Sequence, residues 1–103
     1  MIQLENILQQ HPLVLVNFHA DWCRPCRAMQ PILAEVKTQV TDKIELVEIN
    51  VDGYGSIARQ YAIKQVPTLV LFKDGEIVWQ NRGMIAGYYI EEKINEQLKT
   101  TYL

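Results

Sequence analysis

The run Leu13–His19, "LVLVNFH", limits the fold of this chain more than any other stretch. It is apolar at both parities, so neither face of the extended strand it predicts tolerates water. Such a strand belongs inside a parallel or mixed sheet with helices above and below. The flanking sequence supplies those helices. Leu4, Ile7 and Leu8 recur at helical spacing within Ile2–Gln10, and Pro12 ends that run because the residue before a proline is pushed out of helical geometry. After the strand, Cys26, Met29, Leu33, Val36 and Val40 form the stripe of a helix packed on a sheet, which Pro31 is expected to kink. "IELVEINV", Ile44–Val51, reads as a second strand, followed by a short helical piece around Ser56–Tyr61. "TLVLFK", Thr68–Lys73, reads as a third strand that Asp74-Gly75 turns into "EIVWQNR", Glu76–Arg82, as a hairpin. Ile90, Ile94 and Leu98 mark one face of a closing helix from about Tyr88 to Lys99. The order α-β-α-β-α-β-β-α gives an α/β fold, a mixed sheet of about four strands with helices on both faces.

A chain of 103 residues makes one domain, 1–103, and no internal repeat or linker divides it. Ten basic residues against twelve acidic ones give a net charge of -2, and no two basic residues are adjacent. A phosphate-tracking surface, and with it nucleic acid as a partner, is excluded on that balance. The first twenty residues hold no Lys or Arg, and their longest apolar run, Leu13–Val16, is too short for a signal-peptide core or a membrane span. The expectation is a cytoplasmic monomer without a membrane partner. Thiols are kept reduced in that compartment, which makes a close cysteine pair catalytic or metal-binding rather than structural.

Both cysteines of the chain fall in "HADWCRPCRAMQP", at positions 23 and 26. The order of elements sets them at the carboxyl end of a central strand and the amino end of a helix, where ligands gather in open α/β sheets. Unsatisfied N–H groups and the helix dipole favour negative charge there, and only a thiolate is nucleophilic. Pro25 suits a first helical turn, where its missing N–H costs nothing. Cys23 then attacks a substrate disulfide, and Cys26, shielded on the apolar stripe, resolves the mixed disulfide by closing the Cys23–Cys26 bond. Three plainer readings compete. A staple over so short a loop removes little denatured-state entropy. A zinc site lacks ligands, with only His11 and His19 to add. The pair is otherwise two buried hydrophobes.

"VNFHADWCRPCRAMQPIL", "INVD", "VPTLVLFKDGE" and Gly83, in this order from Leu13 to Leu98, resemble the thioredoxin family. The combination of WCxPC, a proline at position 31 and VPT is specific. The resemblance implies a protein-disulfide reductase with Cys23 as nucleophile and Cys26 as resolving thiol. It implies a cis peptide at Val66-Pro67 and a docking groove of Trp22, Val66, Pro67, Gly83 and Met84, where a substrate chain pairs as an added strand. It implies a redox-active disulfide re-reduced by a flavin- and NADPH-dependent reductase, and the expectation is a chain with no bound cofactor and no metal. Protein disulfides and that flavoprotein are the expected partners.

The chain also departs from the family. Arg24-Pro25 stands where thioredoxins usually carry Gly-Pro, and a guanidinium beside Cys23 favours its thiolate, making the disulfide the better oxidant. Asn17 stands where the family has a buried acid, and Glu48 where it commonly has a lysine. A carboxylate moved from one strand to the next, acting as proton acceptor, is one reading; a merely exposed Glu48 is the other. His19 replaces a usual tryptophan or other aromatic, and it either tunes the site near neutral pH or is simply hydrogen-bonded or solvated. Too few residues precede Leu13 for a further edge strand and a helix together, so four strands are expected rather than five. Arg24 and Asn17 leave room for an oxidase or isomerase, and the fold alone leaves room for a redox-poor binding module or metal scaffold.

Overall fold

The computed structural model describes residues 2–40 and 44–100. Its elements follow in the order α1 (Leu4–Gln10), β1 (Leu13–His19), α2 (Arg24–Val40), β2 (Glu45–Asn50), α3 (Gly55–Gln60), β3 (Thr68–Lys73), β4 (Glu76–Arg82) and α4 (Gly87–Thr100). The strands form one sheet in the order β2-β1-β3-β4. β1 pairs in parallel with β2, Asn17 opposite Glu48, and antiparallel with β3, Asn17 opposite Leu69. The connections follow from the pairing: α2 carries the chain between the parallel pair β1 and β2, α3 lies between β2 and β3, and the two-residue turn Asp74-Gly75 joins the antiparallel pair β3 and β4. Both turn residues have positive φ, 51° and 84°, the conformation a two-residue hairpin turn requires.

Side chains of β1 alternate between two cores. Leu13 and Leu15 pack with Met29, Leu33, Val36 and Val40 of α2, Leu69 and Leu71 of β3, and Ile90 and Ile94 of α4. Val14, Val16 and Phe18 pack on the opposite face with Leu4 and Leu8 of α1, Val47 and Ile49 of β2, and Val70 and Phe72 of β3. This is why both parities of the run are apolar: Val14, Val16 and Phe18 are 0% exposed, and Leu15 is 1% exposed. α2 runs through Pro31 as one helix. The ring there deprives the Arg27 carbonyl of its helical donor, on the exposed side of the helix. Toward its open edge β4 carries a bulge between the partners of Leu71 and Phe72, which leaves Val78 without an opposite residue.

The two outer strands differ. β2 buries Val47 and Ile49 on one face, with Glu45 half-buried at the start of that row and Glu48 half-buried on the other face, and β4 exposes Ile77 and Val78. Each glutamate of β2 faces a histidine of the β1 segment, His11 with Glu45 at 3.4 Å and His19 with Glu48 at 3.9 Å.

Candidate active site

β1 ends at His19, and the chain turns through Ala20–Trp22 directly into α2, whose first helical residue is Arg24. Cys23 is therefore the residue that caps the helix, and Pro25 and Cys26 occupy its first turn. The two cysteines form a disulfide with their Cα atoms 5.3 Å apart. The backbone N–H of Cys26 donates to the Cys23 sulfur at 3.1 Å, and the N–H of Arg27 donates to the Cys23 carbonyl at 3.3 Å. One of the helix's orphan donors thus points at Cys23 and, among the described residues, none at Cys26. Burial does not separate the two residues, since Cys23 is 4% and Cys26 2% exposed. Their asymmetry is electrostatic, set by which sulfur the helix end addresses.

Around the disulfide lie Ala20, Val51 and Val66, an apolar floor built from the ends of β1 and β2 and the segment before β3. Val66-Pro67 is a cis peptide. Pro67 is buried, its carbonyl accepts the N–H of Gly83 at 2.8 Å, and Thr68 Oγ1 donates to the Gln65 carbonyl at 2.8 Å. Gly83 has φ +90°, a conformation that glycine adopts without strain, and its carbonyl accepts from Asn81 Nδ2 at 3.1 Å. These bonds fix the loop that carries Met84, which is 49% exposed. Trp22 is 70% exposed, its indole N–H held by Asp52 Oδ2 at 2.9 Å. Between Trp22 and Val66 opens a small groove of about 130 Å³, lined also by Val51, Ile63, Lys64 and Gln65. A larger groove of about 540 Å³ lies at the other end of the sheet, among Leu8, His11, Pro12 and the Asp74-Gly75 turn, away from the sulfurs.

The residues singled out in the sequence fall into two groups. Cys23, Cys26, Trp22, Val66, Pro67, Gly83 and Met84 belong to the disulfide and the loops around it. Asn17, His19 and Glu48 lie beneath α2 instead, on the face of the sheet that β1 shares with β2. Asn17 is 0% exposed, and neither Oδ1 nor Nδ2 of its side chain has a hydrogen-bond partner. Glu48 Oε2 accepts from Gln30 Nε2 of α2 at 3.3 Å. Arg24 and Pro25 are exposed. Sequence reasoning missed Asp52, Gln30 and the Asn50–Asp21 contact of 3.3 Å. The fragment "INVD" contained the first, but nothing local to it signalled a partner thirty residues away.

No group of three or more His, Cys, Asp or Glu among the described residues is arranged to hold a metal ion. His11 and His19 stand at opposite ends of β1, each beside its own glutamate.

The thioredoxin family model matches residues 3–99. Among curated relatives, thioredoxin Y1 of the chloroplast of Arabidopsis thaliana is 43% identical over 86 residues, 84% of this chain and 50% of that one. Thioredoxin of Bacillus subtilis is 36% identical over 86 residues, 84% of this chain and 83% of that one. The chain spans about half the length of the chloroplastic relative. Oxidised mitochondrial thioredoxin 3 of Saccharomyces cerevisiae superposes with a TM-score of 0.83 at 30% identity, over 90% of this chain and 86% of that one. A cysteine pair at the mouth of α2, a cis-proline loop beside it, a four-strand mixed sheet and a family match over nearly the whole length agree with one another, and this chain belongs to the thioredoxin family.

Proposed function

We propose that the chain is a thiol–disulfide oxidoreductase that reduces disulfides of other proteins through Cys23 and Cys26. The observation that carries this is the Cys26 N–H aimed at the Cys23 sulfur from the amino end of α2. That donor and the helix dipole favour the Cys23 thiolate over the thiol, so Cys23 attacks and Cys26 resolves. The groove formed by Trp22, Val66, Pro67, Gly83 and Met84 receives the substrate chain. Its exposed Trp22 and Met84 give apolar contact area, and the backbone before Pro67 offers hydrogen bonds to an extended segment.

The chain acts as a monomer, binds no cofactor of its own and is returned to the dithiol form by a flavin- and NADPH-dependent reductase. It works in a reducing compartment, the cytoplasm being the reading its sequence favours. No helix among the described residues is long and apolar enough to cross a membrane. The test is reduction of insulin by dithiothreitol, followed by precipitation of the freed chains. The parent protein should accelerate it and Cys23→Ser should abolish the acceleration. Equal turnover in the parent and in Cys23→Ser would refute the assignment.

A further inference from the structure

Closing the Cys23–Cys26 bond requires Cys26 to lose a proton, and the apolar residues packed with it, Ala20, Val51 and Val66, accept none. The question rests on the dithiol reading above. Each element packed around this end of α2 offers different groups. β3 and α4 turn Leu69, Leu71, Ile90 and Ile94 into the core on this face. α2 itself carries Arg24 and Arg27, both exposed cations, and Arg27 donates to the Asp21 carbonyl at 2.8 Å. The turns after β1 and β2 hold Asp21 and Asp52, whose carboxylates are engaged by Asn50 and Trp22. Lys64 lines the groove beside Trp22. β1 and β2 supply what remains, the pair His19 and Glu48, with Nε2 and Oε2 3.9 Å apart beneath Gln30 of α2.

Asn17 connects this pair to the interior. It follows Leu13 and Leu15 on the face that packs under α2, and its strand partner is Glu48. α2 runs back along β1, so Asn17 falls toward the Cys26 end of the helix's buried stripe. Its amide is wholly buried with both polar atoms unpartnered, a state that native proteins resolve with an ordered water when no side chain is in reach.

We infer that Glu48, supported by His19, is the proton acceptor of the resolving step, and that Asn17 is the positioning residue that holds the connecting water. Cys26 Sγ–H gives its proton through that water to the Glu48 carboxylate. The electron pair left on Cys26 forms the bond to the Cys23 sulfur, the bond between Cys23 and the substrate sulfur breaks, and the substrate leaves as a thiolate. The protein dithiol loses two electrons, and the substrate disulfide gains them. His19 and the solvent beside it take the proton onward from Glu48.

The step is separable with an equimolar aromatic disulfide, 5,5′-dithiobis(2-nitrobenzoate), added to the reduced protein. Attack by Cys23 releases a first coloured thiolate, and resolution by Cys26 releases the second. Glu48→Gln should leave the first phase unchanged and slow the second about tenfold or more at neutral pH, the low end of general acid–base effects. The deficit should close as pH rises toward about 8.5, where an ordinary thiol ionises unaided. His19→Gln should show a smaller deficit of the same kind. Asn17→Leu, close in volume, should slow the second phase in the same pH-dependent way while raising the thermal midpoint, because an unpartnered buried amide is gone. A second phase unchanged in both Glu48→Gln and Asn17→Leu overturns the inference, as does a slowing of equal size at every pH. Loss of the first phase in the parent protein would instead overturn the dithiol reading itself.

Discussion

The Cys26 N–H donates to the Cys23 sulfur, and Arg24, the first of the two residues between the cysteines, adds a charge. Arg24 is exposed, so solvent screens its guanidinium and the effect on the couple is small. Arg24→Gly should lower the reduction potential on the order of 10 mV, a little over twofold in the equilibrium constant. Equilibration against glutathione measures it, and an unchanged or higher potential removes Arg24 from the tuning of the couple. At Gly83, with φ +90° and no atom within 4 Å of an added Cβ, the penalty for a side chain is purely conformational. Gly83→Ala should therefore cost about 1 to 2 kcal/mol in urea unfolding without a packing defect. Tyr61 sets an alkaline limit: burial, and then the charge of Glu5, raise its phenol above 10.0. In the unfolded chain that phenol ionises first, so its contribution is intact below about 10 and is lost as pH rises through the higher folded value. Tyr61→Phe keeps the edge-on contact with Phe72, 5.4 Å between centroids, and should flatten the decline in thermal midpoint above that pH.

Among the elements, the hairpin and the strands were the most legible in the sequence. β1, β3 and β4 have the bounds read from the residues alone, because their apolar runs end at strong turn formers. Helix ends shifted by a residue or two, as frayed termini do: α1 begins at Leu4 and α4 at Gly87. Asp74-Gly75 fixes the register of β3 and β4, with φ of 84° at the glycine. Gly75→Val should destabilise the fold by about 1 to 2 kcal/mol, since a β-branched residue resists positive φ. An unchanged midpoint in urea would mean that the turn tolerates another geometry. The bulge at Val78 had no such signal, because a bulge answers to the twist of the neighbouring strand rather than to its own residues.

At the scale of the molecule, one sheet separates two apolar cores, and only one of them touches the helix that carries the cysteines. Phe18 lies in the other, 0% exposed. Phe18→Ala should cost about 3 to 5 kcal/mol, a large share of a small domain's stability, yet leave the reduction potential near that of the parent. A potential that moves with it would show that the cores are coupled through β1. The sequence by itself determined the element order, the central place of Leu13–His19 and the seat of Cys23 and Cys26 at a helix mouth, because periodicity, turn chemistry and capping act over a few neighbours. Only the tertiary structure decided that Asp52 holds Trp22, that the Gly83 N–H meets the Pro67 carbonyl, and that Asn17 is buried beside Glu48 without a partner. Those contacts join residues far apart along the chain, and their energies depend on burial and direction, which exist only once the sheet and helices have packed.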